Sequence, residues 1–373
     1  MVTILLTVFI GSVVFQLYFI FFVFNKINQY NPPEGESCAL EGVSVVVCAR
    51  NELENLKSLI PLLNNQVYPT FEIIIVDDRS WDGTFDYLLT ECSEYHKVRF
   101  LRVKETPYPF SSKKYALTLG VKSARYNNLL LTDADCRPQS NHWIAGMAEC
   151  LTPDKEIVLG FSPYFEERGF LNNLIRYETF NTAAQYFSFA IVGMPYMGVG
   201  RNLMYRKSLF LNNKGFEKHT NIVGGDDDLF MNDVANEHNT AVCLNPKTFM
   251  YSFPKTTWQA WYRQKRRHLS VSKYYKLQHK INLGGLGLSL ISSWVSFIIL
   301  IPVFYHKPLI YGILFFFIFR LISQMVVFSK INKRLDSTLK IITLPLWDSI
   351  FALYFLTMGI NNLIPRRQKT KWR

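Results

Sequence analysis

The sequence predicts an α/β domain built on a mixed, mostly parallel sheet, with transmembrane helices at both ends of the chain. Three observations carry this. Short β-branched runs alternate with helix-periodic stretches between residues 43 and 135, the pattern of a sheet covered by helices on both faces. Apolar runs at 2–24, 285–305, 308–329 and 341–364 match the ~20 residues that cross a bilayer. Three of the candidate strands end in polar or acidic clusters, at the edge where ligands bind in such sheets.

The run 2–24 carries no charge, no basic start and no small-residue cleavage site, and it ends in Asn25-Lys26. It therefore predicts an uncleaved anchor and not a signal peptide. Residues 43–48 form the first buried strand, followed by the loop Ala49-Arg50-Asn51-Glu52 and a helix carrying Leu53, Leu56, Leu59, Ile60 and Leu63. Residues 71–76 form the next strand, ending in Asp77-Asp78, and Asp82-Gly83-Thr84 opens another helix. A strand at 98–103, a helix at 113–125 and a strand at 128–132 ending in Asp133-Ala134-Asp135 complete the alternation.

Of the C-terminal runs, the first is a plain span. The second contains Arg320, which must snorkel or pair. The third contains Pro345 and Asp348, so it is the one expected to lie in the interface or re-enter. Charge is concentrated around these segments: 255–283 holds eight Lys/Arg and no acid, and the tail from Arg366 adds five. Beside membrane segments this indicates the cytoplasmic face and anionic headgroups, not nucleic acid. The division expected is an anchor at 1–24, a cytoplasmic domain at 25–254, a basic amphipathic interface region at 255–283 and a membrane region at 284–373. The setting expected is a bacterial inner membrane. The net charge of +12 comes from these flanks.

Several chemistries are excluded. The six cysteines form no CxxC pair and no zinc spacing, the seven histidines form no constellation, and there is no P-loop or Gly-x-Ser-x-Gly. The carboxylates carry the signal. Asp77-Asp78 at a strand end places two like charges side by side, a cost that favours a role such as accepting a base N–H. Asp133-x-Asp135 supplies the oxygen ligands that Mg²⁺ or Mn²⁺ prefers, one or two carboxylates with phosphate oxygens beside them.

Five motifs in order carry a resemblance: the strand and loop at 43–52; Val76-Asp77-Asp78-Arg79-Ser80-Trp81-Asp82-Gly83-Thr84; Thr132-Asp133-Ala134-Asp135; Gly224-Gly225-Asp226-Asp227-Asp228-Leu229; and Gln264-Lys265-Arg266-Arg267-His268. Together they resemble family 2 glycosyltransferases, in particular the membrane-bound branch with polysaccharide synthases and ceramide glucosyltransferase-like enzymes. The resemblance covers roughly residues 40–270. It implies a Rossmann-like GT-A fold, a nucleotide-sugar donor, a divalent metal and inversion at the anomeric carbon.

By that resemblance Asp78 contacts the uracil, with Asp77 beside it, and Ala49, Arg50 and Glu52 match the loop that holds the nucleoside. Asp135 is the metal ligand, joined by Asp133. Lys113 matches a Lys-x-x-Ala-Leu element near the donor, and Gln264 and Arg267 match a Gln-x-x-Arg-Trp element near the diphosphate. Asp226 falls at the base position, with Asp228 as the second acid of the motif and Asp227 as the alternative base, and its acidic neighbours are expected to raise its pKa. Asn202, in Gly200-Arg201-Asn202, matches an acceptor-side element. The chain departs from the family pattern at Arg79 (usually Gly), Gly225 (usually Glu) and His268 (usually Trp). The function expected is transfer of a sugar, from a UDP-sugar for preference, to a lipid or lipid-linked glycan acceptor. A processive polysaccharide synthase and a non-catalytic nucleotide-sugar-binding membrane protein are the alternatives.

Overall fold

The computed structural model describes residues 1–32 and 41–363. Cys38 and the basic tail from Arg366 lie outside the described residues. The chain opens with α1 (Val2–Tyr18), a π-helical turn (Phe19–Phe24) and α2 (Lys26–Gln29). The α/β part follows as β1 (Val43–Ala49), α3 (Leu53–Asn64), β2 (Phe71–Asp77), α4 (Thr84–Thr90), β3 (Val98–Arg102), α5 (Ser112–Ser123), β4 (Asn128–Asp133) and β5 (Cys136–Pro138). Then come α6 (Trp143–Glu149), β6 (Ile157–Leu159), α7 (Phe170–Ile191), β7 (Leu203–Arg206), α8 (Lys207–Asn212), α9 (Asp228–Val234), β8 (Thr240–Val242) and β9 (Met250–Ser252). The C-terminal part is α10 (Trp258–Leu269), α11 (Leu277–Phe304), α12 (Leu309–Arg334) and α13 (Leu344–Leu363).

Among the described residues the main sheet has seven strands in the order β3-β2-β1-β4-β7-β6-β8. Its pairings are parallel except those of β7, which runs antiparallel to β4 and β6. Strands β1 and β2 are buried along their whole length because both faces are covered. Val46, Cys48, Ile74 and Val76 point to one core, which includes Ala116, Leu117 and Val121 of α5. Val45, Val47, Ile73 and Ile75 point to the other, with Leu56, Leu59, Ile60 and Leu63 of α3. The helix sits close on the first face because Gly120 has no side chain. A Cβ there would meet Val46 Cγ1 at 2.6 Å.

The register sets the site. Ala49 pairs with Asp77 and Cys48 with Asp133, so three loops leave one edge together. Leu131 pairs with Leu203 across the antiparallel joint, which brings Gly200 and Arg201 to the same edge.

Among the described residues, four helical segments are long and apolar enough to cross a membrane: Val2–Gln29, Leu277–Phe304, Leu309–Arg334 and Ile341–Gly359. The first is thus longer than the run 2–24 read from sequence. Gln16 is buried and donates through Nε2 to Ser289 O at 2.8 Å and Ser293 Oγ at 3.0 Å, joining α1 to α11. Arg320 pairs with Asp348: Nη2 lies 2.9 Å from Oδ1, and Trp294 Nε1 donates to Oδ2 at 2.8 Å. Both charges are 2% exposed, so in this apolar setting each answers the other. The turn between α12 and α13 touches the α/β part, where Thr338 Oγ1 donates to Glu166 Oε2 at 2.8 Å. Along α13, Asp348 meets Trp294, and further on Phe355 packs over Gly287 and Tyr354 against Trp261 of α10. This stretch of α13 therefore runs antiparallel to α11 while it packs on the α/β part, with Trp347 against Phe170 and Tyr177 of α7.

Candidate active site

The first wall of the site is the pair of loops after β1 and β2, which lock into each other. Asn51 N donates to Ser80 Oγ at 2.8 Å, Trp81 N to Asn51 Oδ1 at 3.0 Å, and Leu53 N to Asp82 Oδ2 at 3.1 Å. Asn51 (φ 56°) and Arg79 (φ 58°) both sit in the left-handed region, which side chains other than glycine seldom occupy. That explains why a glycine is the usual residue at position 79.

The two acids of this wall do different things. Asp77 turns inward, accepting from Ser80 N at 3.3 Å, with Arg102 Nε 3.7 Å away; burial pushes its pKa up. Asp78 is fully buried; its Oδ1 accepts from Arg79 Nε at 2.8 Å, and Arg50 Nη1 stands 3.8 Å from Oδ2. Arg50 lies over the exposed Trp81 ring, 5.6 Å from its centroid. Ala49 O accepts from Asp78 N at 2.8 Å. Glu52 accepts from Asn55 Nδ2 at 2.6 Å, and its pKa is raised by burial, with the charges of Asp135 and Asp133 adding to that.

The centre is a bridge. Lys113 Nζ lies 3.0 Å from Asp133 Oδ1 and 3.0 Å from Asp226 Oδ2. Burial opposes its charge, but Asp133, Asp226 and Asp227 hold its pKa well above the ordinary lysine value. Lys113 is half-buried, and Lys114, next in sequence, is fully buried. It donates to His219 O at 2.7 Å and Ile222 O at 3.0 Å, fixing the loop that leads to the acids, and burial pushes its pKa down to about 8. Lys113, Asp133, Gly200, Asp226 and Asp227 line one cleft.

The acidic run separates into three roles. Asp227 caps α9, its Oδ1 accepting from Asp228 N and its Oδ2 from Gly200 N, both at 2.8 Å. Asp228 accepts from Tyr275 Oη at 2.9 Å, and burial, with Asp227 beside it, lifts its pKa well above the carboxylate range. Asp226 faces the lysine bridge. Its pKa is lowered: burial raises it, but the charge and hydrogen bond of Lys113, a backbone hydrogen bond and Lys114 outweigh burial. This corrects the expectation that the neighbouring acids push it up. The glycine in place of the family's Glu also has a cause. Gly225 has φ 71°, and a Cβ there would lie 2.7 Å from Leu229 Cγ.

Asp133 and Asp135 suit a hard divalent ion in their chemistry. Asp135's polar neighbour is Cys136 Sγ at 3.7 Å, a weak contact, and its pKa is raised by burial and by Asp133. No group of three or more His, Cys, Asp and Glu able to hold a metal occurs among the described residues. The pair therefore fits an ion that takes its other ligands from phosphate, as Mg²⁺ commonly does, and not an all-protein cage.

The remaining wall is α10. Gln264 Nε2 donates to Tyr164 Oη at 3.3 Å, the stem of Arg267 packs against Gly224, and Lys265 pairs with Glu178 of α7. His268 lies on the exposed side of α10, where the charges of Lys265, Arg267 and Arg201 push its pKa down. Asn202 does not reach the cleft. It is 0% exposed and serves the core, accepting from Trp143 Nε1 at 2.9 Å and donating to Phe161 O at 2.7 Å and Thr248 O at 2.9 Å. Its neighbour Arg201, which sequence reasoning passed over, lies 4.5 Å above the Tyr164 ring with Nη1 buried and unpartnered.

The sequence profile of Glycosyl transferase family 2 matches residues 44–212, and that of Glycosyl transferase family group 2 matches residues 129–329. Poly-beta-1,6-N-acetyl-D-glucosamine synthase of Staphylococcus epidermidis is 28% identical over 123 residues, 33% of this chain and 29% of that protein. Chondroitin synthase of Escherichia coli is 25% identical over 121 residues, 32% of this chain and 17% of that protein. The chain thus spans less than a third of the length of either relative. Among solved structures, mannosyltransferase PcManGT from Pyrobaculum calidifontis, in complex with GDP-Man and Mn²⁺, superposes with a TM-score of 0.56 at 17% identity, over 97% of this chain and 98% of that one. The sheet order, the acids at its carboxyl edge and these matches agree: the chain belongs to glycosyltransferase family 2 and has a GT-A fold with long apolar helices at both ends.

Proposed function

We propose that this enzyme moves a sugar from a UDP-sugar to a lipid or lipid-linked acceptor, with inversion, at the cytoplasmic face of a membrane. The observation that carries the reading is the lysine bridge. It sets Asp226 and Asp133 on one ammonium, at 3.0 Å each, and so joins a base position to an Asp-x-Asp pair in one cleft.

In this reading Asp226 accepts the proton of the acceptor hydroxyl as that oxygen attacks the anomeric carbon from the side opposite the diphosphate. Lys113 keeps the carboxylate ionised and aimed. General-base assistance of this kind supplies roughly 10²–10⁴-fold in rate. Asp135 and Asp133 would hold Mg²⁺ or Mn²⁺, whose charge steadies the departing diphosphate. Arg267 and Gln264 approach the diphosphate from α10, and Ala49, Arg50, Glu52 and Asp78 form the nucleoside end. Asp77 belongs to the frame of the loops after β1 and β2, Asp227 caps α9 and holds Gly200, and Asp228 ties α9 to the foot of α11 through Tyr275.

The acceptor reading is supported by the same geometry. Tyr275 precedes α11 by two residues, and Lys276 N donates to Asn232 Oδ1 at 2.9 Å, so the acidic run is fixed to a membrane helix. The basic residues of 255–283 and the packing of α13 on α10 support a cytoplasmic domain at 25–254 in a bacterial inner membrane. A processive synthase is the second reading, favoured by the names of the curated relatives, whose polymer-forming activity belongs to much longer chains. A GDP-sugar is the alternative donor, by analogy with the nucleotide bound to the mannosyltransferase.

The test is a donor screen. Detergent-purified protein is incubated with a membrane lipid extract and a panel of nucleotide sugars, and free nucleotide and glycolipid are followed. One UDP-sugar releasing UDP with a single-sugar lipid product supports the reading. Long glycan on a gel supports the synthase, and release from no nucleotide sugar rejects both.

A further inference from the structure

The Asp78 carboxylate has one oxygen engaged and the other buried without a hydrogen-bond partner. Arg79 does this from a backbone conformation, φ 58°, that an L side chain rarely adopts, and such outliers point toward function. Its guanidinium is fixed at two points: Nε donates to Asp78 Oδ1 at 2.8 Å and Nη2 to Ser112 Oγ at 2.9 Å, at the first residue of α5. A third of the side chain, 34%, is still exposed, so its remaining N–H groups are reachable. Asp78 Oδ2 is buried and has no hydrogen-bond partner. Arg50 Nη1, at 3.8 Å, is too far to donate to it.

Oδ2 is thus the one acceptor left on this carboxylate, and Arg79 adds free N–H groups next to it. Among the common bases, a single N–H between two carbonyls is the imide edge of uracil; thymine shares it. Guanine presents one carbonyl and two adjacent N–H donors and would need both carboxylate oxygens. Adenine and cytosine present a ring nitrogen acceptor where Oδ2 needs an N–H. We infer that Arg79, by occupying Oδ1 and offering its free N–H groups, makes this site specific for an imide-bearing pyrimidine diphosphate and excludes guanine. Arg50 shifts over Trp81 to uncover Oδ2 as the base arrives. The inference rests on the reading that Asp78 receives the donor's base.

The experiment is competitive binding of UDP, dTDP, GDP and ADP to full-length protein in detergent, without turnover, for the wild type, Arg79→Gly and Ser112→Ala. A site that leaves buried polar groups unmatched by the wrong ligand discriminates by about a hundredfold or more. The wild type is expected to bind UDP or dTDP at least about a hundredfold tighter than GDP and ADP, and the tighter of the two identifies the sugar carrier. Glycine fits the backbone at 79, and freeing Oδ1 gives guanine its second acceptor. Arg79→Gly should therefore cut the UDP-to-GDP ratio at least about tenfold, and Ser112→Ala should move it the same way by less. A thermal melt in the absence of nucleotide checks that each variant is folded. Equal or tighter binding of GDP or ADP by the wild type overturns the inference, as does an unchanged ratio in folded Arg79→Gly. If no nucleotide binds the wild type, the nucleotide-sugar reading itself fails.

Discussion

Replacing each acid of the run at 226–228 by its amide gives three different outcomes if the geometry is right. Asp226→Asn removes the one carboxylate of the three that faces Lys113, whose Nζ is 3.0 Å away. Loss of a general base costs roughly 10²–10⁴-fold, so turnover should fall at least about a hundredfold while nucleotide affinity stays close to wild type. Asp227→Asn puts an amide NH₂ where one of two 2.8 Å hydrogen bonds from Gly200 N and Asp228 N is accepted. That leaves a buried N–H facing another donor, a loss of about 1–3 kcal/mol in stability. Turnover of the folded fraction should fall less than in Asp226→Asn. Asp228 is already pushed toward its protonated form, which an amide mimics, and an amide oxygen still accepts from Tyr275. Asp228→Asn should thus change either property little. The assay combines nucleotide release, competitive nucleotide binding and thermal melting on one detergent preparation. Near-normal turnover in Asp226→Asn together with a large loss in folded Asp227→Asn would refute the assignment and move the base by one residue.

Three further outcomes are expected. At 3.0 Å each ion pair of Lys113 is worth at most about 5.5 kcal/mol at an effective dielectric of about 20. Lys113→Met should therefore cut turnover at least about tenfold, and it should change the pH profile. A base must be ionised to work, and activity is lost as pH falls through its pKa. The wild-type pKa of Asp226 is held low chiefly by Lys113, so the acid limb lies far below neutrality; without the lysine only a backbone hydrogen bond and Lys114 oppose burial, and the limb moves up. A profile that does not shift contradicts the bridge. Chelation of divalent ions, or Asp135→Asn, should abolish transfer, with Mn²⁺ or Mg²⁺ restoring only the wild type, and full activity in excess chelator counts against an ion at Asp135. In the membrane part, breaking the Arg320–Asp348 pair from one side should cost about 3–5 kcal/mol, whereas replacing both by apolar residues of similar size should restore most of it. Equal stability of the single and double variants in a detergent unfolding series speaks against a mutual pairing.

Much of this was legible where a residue's neighbours in sequence decide its fate. The runs at 43–48, 71–76 and 128–132 are all buried strands because parallel sheets covered on both faces select unbroken β-branched and leucine stretches. The acids at their ends fall at the carboxyl edge as topology demands. What failed depended on partners distant in the chain. The ammonium that lowers the Asp226 pKa is 113 residues away in sequence; local charge counting sees only Asp227 and Asp228 and gives the opposite sign. Asn202 reads as a ligand from its motif, but its amide is consumed by Trp143, Phe161 and Thr248, while the charge of Arg201 beside it acts on Asp135. The 22-residue α7 has no marked apolar face in sequence because it is enclosed between the sheet and the membrane helices. Arg320 gave the correct alternatives, and only the packing of α12 on α13 shows that Asp348 answers it.

The account stands most directly on whether Asp226 and the donor site act together on a nucleotide sugar. The decisive measurement is mass-spectrometric detection of glycosylated lipid, alongside nucleotide release, from wild type and Asp226→Asn supplied with a UDP-sugar panel, divalent ion and membrane lipid extract. The account predicts one UDP-sugar consumed by the wild type, its sugar found on lipid, and at least about a hundredfold less product from Asp226→Asn at unchanged UDP binding. Equal product from the two proteins, or sugar found only as free hydrolysate with every lipid fraction supplied, would contradict it.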